Sequence, residues 1–234
     1  GTTALDRAWY SVAADGTLFF TWDASDDDLT HASLANVPGP GTPTDDGPGA
    51  LANGWDWSTG AIAEGTYNPR LTVWDGSGLS ASKTMFIGID RTAPTMITPT
   101  VGNGNEWIDS TSVTISGFDS ATDDGSGSGL DYVQIQQDSV WSDVTSSSTT
   151  LTFSEGEHQI SMRAVDRVGN IGSPINVDVK VDITEPEGIS WSVDELSTSH
   201  VGPVNISFSA QDLGSGIDLD NSKIQYGFDL NGVG

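Results

Sequence analysis

Apolar and polar residues alternate with a period of two along several stretches of the chain. The clearest are Val113-Thr114-Ile115-Ser116, Tyr132-Val133-Gln134-Ile135-Gln136, Gln159-Ile160-Ser161-Met162-Arg163-Ala164-Val165 and Asn176-Val177-Asp178-Val179-Lys180-Val181. Such alternation buries one face of a strand and leaves the other wet, the pattern of an antiparallel sheet. Nearer the start, Leu18-Phe19-Phe20-Thr21-Trp22 and Leu71-Thr72-Val73-Trp74 read as strands too. Clusters of Gly, Ser, Asp, Asn and Pro separate these runs and supply turn chemistry. No window of a dozen residues holds a helical period. Short strands with turns between them predict an all-β chain of antiparallel β-sandwiches.

The pattern repeats. Gly65 and Asp75 recur 91 residues later as Gly156 and Asp166, and Asp90 and Pro94 recur 92 residues later as Asp182 and Pro186. Val113-Thr114-Ile115-Ser116 recurs as Val204-Asn205-Ile206-Ser207, and Gly127-Ser128-Gly129-Leu130 as Gly214-Ser215-Gly216-Ile217. A fixed period marks an array of like units, and this one is as long as a small domain. The expected organisation is a sandwich over 1–91, a second over 92–184, and the first half of a third over 185–234. An incomplete sandwich leaves an open edge. It is completed either by continuation of the chain or by a strand from a neighbouring molecule. Asp90-Arg91-Thr92-Ala93-Pro94 and Asp182-Ile183-Thr184-Glu185-Pro186 are short linkers whose Pro restricts swing. Residues 36–54 are rich in Pro and Gly and read as a long loop.

Gly65, Tyr67, Leu71, Thr72, Val73 and Asp75 resemble the closing strands of a polycystic-kidney-disease (PKD) domain, and Trp55-Asp56-Trp57 resembles the Trp-Asp-Phe that opens that family's motif. In the second repeat Ser128-Gly129-Leu130, Arg163-Ala164-Val165-Asp166, Gly169-Asn170, Asp182 and Pro186 are similar to bacterial Ig-like repeats. Gln211-Asp212 and Gly214-Ser215-Gly216-Ile217 match the first half of the same pattern. The resemblance implies tandem Ig-like sandwiches serving as spacer or adhesive modules of a large secreted or cell-surface protein.

Composition narrows the partners. The chain has 33 acidic and 8 basic residues, a net charge of −25. Nucleic acid is excluded, because binding it requires phosphate neutralisation by Lys and Arg. No apolar run is long enough to span a membrane. The first residues show no signal-peptide pattern, as expected of a mature or excised segment. There is no Cys, so no disulfide supports the fold. Bound divalent cations or a salty medium would relieve the charge.

Candidate chemistry follows from that acidity. Asp119, Asp123, Asp124 and Asp131 lie in one Gly/Ser-rich loop, and Asp23, Asp26, Asp27 and Asp28 follow a strand. Calcium takes 6–8 oxygen ligands, which loops of this kind supply, and polar turns of ordinary geometry are the alternative. Asp75 and Asp166 read as turn caps; Asp90 and Asp182 read as turn residues or as ion ligands at the linkers. His31, His158 and His200 show no paired spacing, which argues against zinc. No nucleophile elbow is present, and no catalytic activity is expected. Eight Trp are many for sandwiches. Trp55, Trp57 and Trp74 are either core residues or a platform for polysaccharide, with Trp74 the best candidate for exposure. These features point to a non-catalytic spacer with calcium stiffening, a carbohydrate-binding module, or a filament subunit completed by a neighbour's strand.

Overall fold

The computed structural model describes residues 2–3, 8–11, 16–21, 24, 26–38, 55–58, 62–104, 106–123, 125, 127–193 and 205–218. The 36–54 loop beyond 38, His200, Val204, Asp23 and Asp124 fall outside them. The architecture is all-β, and the one helical segment among the described residues is a 3-10 turn at Phe118–Ser120.

Nine strands come first: β1 (Thr2–Thr3), β2 (Ala8–Tyr10), β3 (Thr17–Phe20), β4 (Leu29–Ala35), β5 (Trp55–Ser58), β6 (Gly65–Tyr67), β7 (Arg70–Asp75), β8 (Ser80–Thr84) and β9 (Ile87–Ile89). They form three sheets ordered β1-β3-β5, β2-β9-β6 and β4-β7-β8. Pairing is antiparallel except that β1 joins β3 and β2 joins β9 in parallel. Parallel partners need a long crossover, and for β2 and β9 the whole first repeat provides it.

Seven strands follow: β10 (Thr100–Val101), β11 (Ser112–Ser116), β12 (Leu130–Gln137), β13 (Val140–Val144), β14 (Ser148–Thr152), β15 (Gly156–Asp166) and β16 (Ile175–Val181). They give sheets ordered β10-β11-β14 and β13-β12-β15-β16. A hairpin-like pair, β17 (Glu187–Val193) and β18 (Ile206–Gln211), closes the described chain. The alternating runs read from the sequence coincide with β11, β12, β15 and β16.

The chain divides into two compact units, one of Gly1–Pro99, Ser116–Thr149 and Gln159–Val177, the other of Thr100–Ile115, Thr150–His158 and Asp178–Gly234. In the first unit Leu18, Phe20, Leu34, Val37, Trp57, Ile62, Ile87 and Ile89 form a buried cluster, and Val133, Ile135, Ile160 and Met162 are buried as their alternation predicts. In the second, Val113, Ile115, Phe153, Val179 and Val181 are buried. Burial of side chains this size stabilises by about 1.5–3 kcal/mol each.

Candidate metal centre

Three carboxylates meet in the first unit although they lie 33 and 43 residues apart in sequence. Asp90, Asp123 and Asp166 each bring one oxygen within 4.8 Å of the others. Asp90 follows β9 and is 0% exposed; Asp166 ends β15 at 2%; Asp123 is half-buried in the loop after the 3-10 turn.

Backbone amides aim each carboxylate. Asp90 Oδ1 accepts from Thr92 N at 3.2 Å and its Oδ2 from Ser128 N at 2.6 Å. Asp123 Oδ2 accepts from Gly129 N at 2.8 Å. Gly129 sits at φ 88°, a conformation natural to glycine, which lets the turn present two successive amides to two different carboxylates. Asp166 Oδ1 caps its own turn, accepting from Val168 N at 2.9 Å and Asn170 N at 2.8 Å. Asn170 Nδ2 donates to Asp166 Oδ2 at 2.7 Å and to the Asp90 carbonyl at 3.3 Å, while its Oδ1 accepts from Ser11 Oγ at 2.5 Å. Arg167 lies nearby, its Nη1 donating to the Ser128 carbonyl at 3.4 Å. Ser128 is 4% exposed, and its Oγ finds no hydrogen-bond partner among the described residues.

The donor set is all oxygen, which suits a hard cation. Oxygens on opposite sides of a Ca²⁺ at ~2.4 Å stand about 4.8 Å apart, so the observed convergence fits one ion. Without a counter-charge, three carboxylates held this close, two of them buried, repel one another and lose hydration.

Of the loop residues read from the sequence, Asp123 is the one that joins this group among the described residues. Asp119 and Asp131 are exposed and stay outside it. Asp26 and Asp28 are also exposed; Asp28 N donates to Asp26 Oδ1 at 3.3 Å. A hydrogen bond with the Asp26 carboxyl raises the Asp28 carboxyl above its ordinary value, helped by slight loss of hydration and the charges of Asp75 and Asp26 and opposed by the Gly76 N–H. Asp75 is a turn cap like Asp166, with Oδ1 accepting from Ser77 N at 2.9 Å and Leu79 N at 2.8 Å. Asp90 and Asp166 were legible as repeated residues, but their meeting with Asp123 was not.

Asp182, the repeat mate of Asp90, makes matching bonds in the second unit. Its Oδ1 accepts from Thr184 N at 3.1 Å and its Oδ2 from Ser215 N at 2.6 Å. Asp212 Oδ1 accepts from Gly214 N at 2.9 Å and Gly216 N at 3.4 Å. The Ser215 amide, then its side chain and the Thr184 amide, hold the Asp182 carboxyl below the usual carboxylate range against the opposing effect of burial.

The aromatic platform changes. Trp57 is 1% exposed, donates Nε1–H to the Pro38 carbonyl at 2.9 Å and packs edge-on against Tyr67. Its ring is core and offers no face to a sugar. Trp74 is half-buried and stacks on His31 at 4.4 Å and 10°. The Trp55 side chain lies outside the described residues.

No family model matches the sequence, and no curated protein matches it significantly. Several solved structures are similar in part. The fibronectin(III)-like modules of CbhA from Clostridium thermocellum share 16% identity over 74% of this chain and 90% of theirs, with a TM-score of 0.39. The human desmocollin-1 ectodomain shares 14% over 76% of this chain and 35% of its own, at 0.27. SGBP-B of a Bacteroides ovatus mixed-linkage glucan utilization locus, solved with a mixed-linkage heptasaccharide, shares 13% over 80% and 47%, at 0.20. All three scores lie below 0.5. The sandwich architecture therefore rests on the strands and their pairing, and function rests on the site.

Proposed function

We propose that this chain is a non-catalytic structural segment of a large extracellular or cell-surface protein, stiffened by calcium at Asp90, Asp123 and Asp166. The observation that carries this reading is the convergence of those three carboxylates on one point. A cation there ties the 90–94 linker to the loop at Asp123 and the turn at Asp166, so three segments distant in sequence stiffen together. An array built to extend and present its neighbours gains from that stiffness.

The test is a thermal melt in EDTA and in millimolar Ca²⁺ at matched ionic strength. A ligand that binds only the native state stabilises by RT ln(1 + [L]/Kd), about 2.7 kcal/mol at a hundredfold excess over Kd. The wild-type midpoint should rise with Ca²⁺. Asp123→Asn keeps an acceptor for the Gly129 amide but removes a charge; its midpoint should not fall in EDTA and should no longer respond to Ca²⁺. Equal wild-type midpoints in the two buffers would sink the reading.

A second reading, a subunit completed by a neighbouring copy, is favoured by β17 and β18. Trp191 is 69% exposed and Phe208, its cross-strand partner, 49%. Ile189, Val193 and Ile206 share that face by alternation, while Ser190, Ser192, Ser207 and Ser209 occupy the other. Sedimentation velocity across a concentration series checks it: concentration-dependent association that Trp191→Ser abolishes supports this reading, and a monomer throughout rejects it.

A further inference from the structure

The outer face of the β13-β12-β15 sheet carries a side-chain grid that neither reading above uses. One row across the three strands is Asp143, Gln134 and Arg163; the next is Trp141, Gln136 and Ser161. The inward neighbours Val133, Ile135 and Met162 are buried at 0–1% exposure, so the grid residues point away from the core. All six belong to the first unit.

The grid is ordered before anything binds. Arg163 Nε donates to Gln134 Oε1 at 2.8 Å, and Gln134 Nε2 donates on to Asp143 Oδ1 at 2.7 Å. The Arg163 guanidinium lies 4.0 Å from the Trp141 ring centroid, a cation–π contact that fixes the indole by one face. From strand geometry the two rows cover about 10 Å by 7 Å, the footprint of a pair of linked sugar rings.

We infer that this grid is a binding surface for a neutral polysaccharide, with Trp141 as the stacking platform and Gln134, Asp143 and Arg163 as partners for ring hydroxyls. Each sugar hydroxyl both donates and accepts, and the row of carboxylate, amide and guanidinium offers an acceptor, a mixed group and a donor side by side. The C–H face of a pyranose packs on the remaining indole face as other flat apolar groups do. A protein partner is a poorer match, since the grid has no aliphatic side chain to form an interface core. The net charge of −25 repels nucleic acids and acidic glycans alike and leaves neutral ones.

The test titrates the whole chain with cellohexaose, mannohexaose and xylohexaose by calorimetry and tryptophan fluorescence. At least one should bind, with Trp141→Ala weakening it about tenfold or more and Gln134→Ala severalfold. Melting midpoints establish that the variants fold; should Trp141→Ala prove unstable, Gln134→Ala with Arg163→Lys carries the test. Asp123→Asn should bind like wild type, which separates this surface from the cation site. No binding of any of the three at about 10 mM, or binding indifferent to the Trp141 and Gln134 variants, would overturn the proposal.

Discussion

Asn170 joins three partners through a single amide: Asp166, the Asp90 carbonyl and Ser11. Asn170→Ala leaves the buried Asp90 and Asp166 short of a partner and should cost about 1–3 kcal/mol, read as a lower melting midpoint in EDTA as well as in Ca²⁺. Two residues on, the position a Gly172 Cβ would occupy is 2.1 Å from the Pro94 carbonyl oxygen. A backbone atom cannot swing aside as a side chain does, so Gly172→Ala should destabilise by about 1–3 kcal/mol on the same assay. The carboxyl of Asp182 adds a pH signature. Its folded pKa lies below its unfolded one, so its stabilisation is present above pH ~4 and fades as pH falls through the lowered value. Asp182→Asn keeps an acceptor without the charge; it should melt below wild type at pH 7 and converge with it in acid. The sequence announced Asp182 only as a repeated letter and Asn170 only through the resemblance to Ig-like repeats, and Gly172 carried no signal in it. Asp75 and Asp166 read correctly as turn caps because such a cap is made within five residues, whereas the reach of Asp166 to Asp90 depends on tertiary placement.

Strands were legible wherever a buried face enforced a period of two. β11, β12, β15 and β16 have that face, and their inward residues are buried. β8, Ser80–Thr84, is exposed at every position and so carries no alternation to read. β4, written LTHASLA, hides its pattern behind small and polar residues although Ala32 and Leu34 are buried. Repeated sequence also did not guarantee equal burial. Ile115 of β11 is 0% exposed, and Ile206, its repeat mate in β18, is 52%. Ile115→Ala should therefore cost about 2–5 kcal/mol and Ile206→Ala at most about 0.5, a contrast that urea titration of the two variants will measure.

Across the whole chain, charge acts on two ranges. The surplus of acidic residues is a diffuse repulsion, screened over about 8 Å at physiological salt, and NaCl should raise the midpoint of wild type and Asp123→Asn equally. The cluster at Asp90 is local, so its response to Ca²⁺ should vanish in the variant while the NaCl response persists. Composition made the diffuse part visible from the start. Which carboxylates converge was invisible because Asp90, Asp123 and Asp166 come from a linker, a loop and a strand end, and the loop offered several equivalent Asp.

The linker carboxylates grip the turns at Ser128 and Ser215 through backbone amides. A fastener made from main chain places no demand on the side chain it holds. What it does demand is room: a Cβ at Gly214 would stand 2.4 Å from the Asp182 carboxylate. Asp90 with Ser128 and Asp182 with Ser215 are thus two copies of one fastener, a carboxylate and the main-chain amide of a serine flanked by glycines. Selection on this fastener therefore acts on the carboxylate and on the space beside the turn, and a substitution that spares both leaves the grip intact.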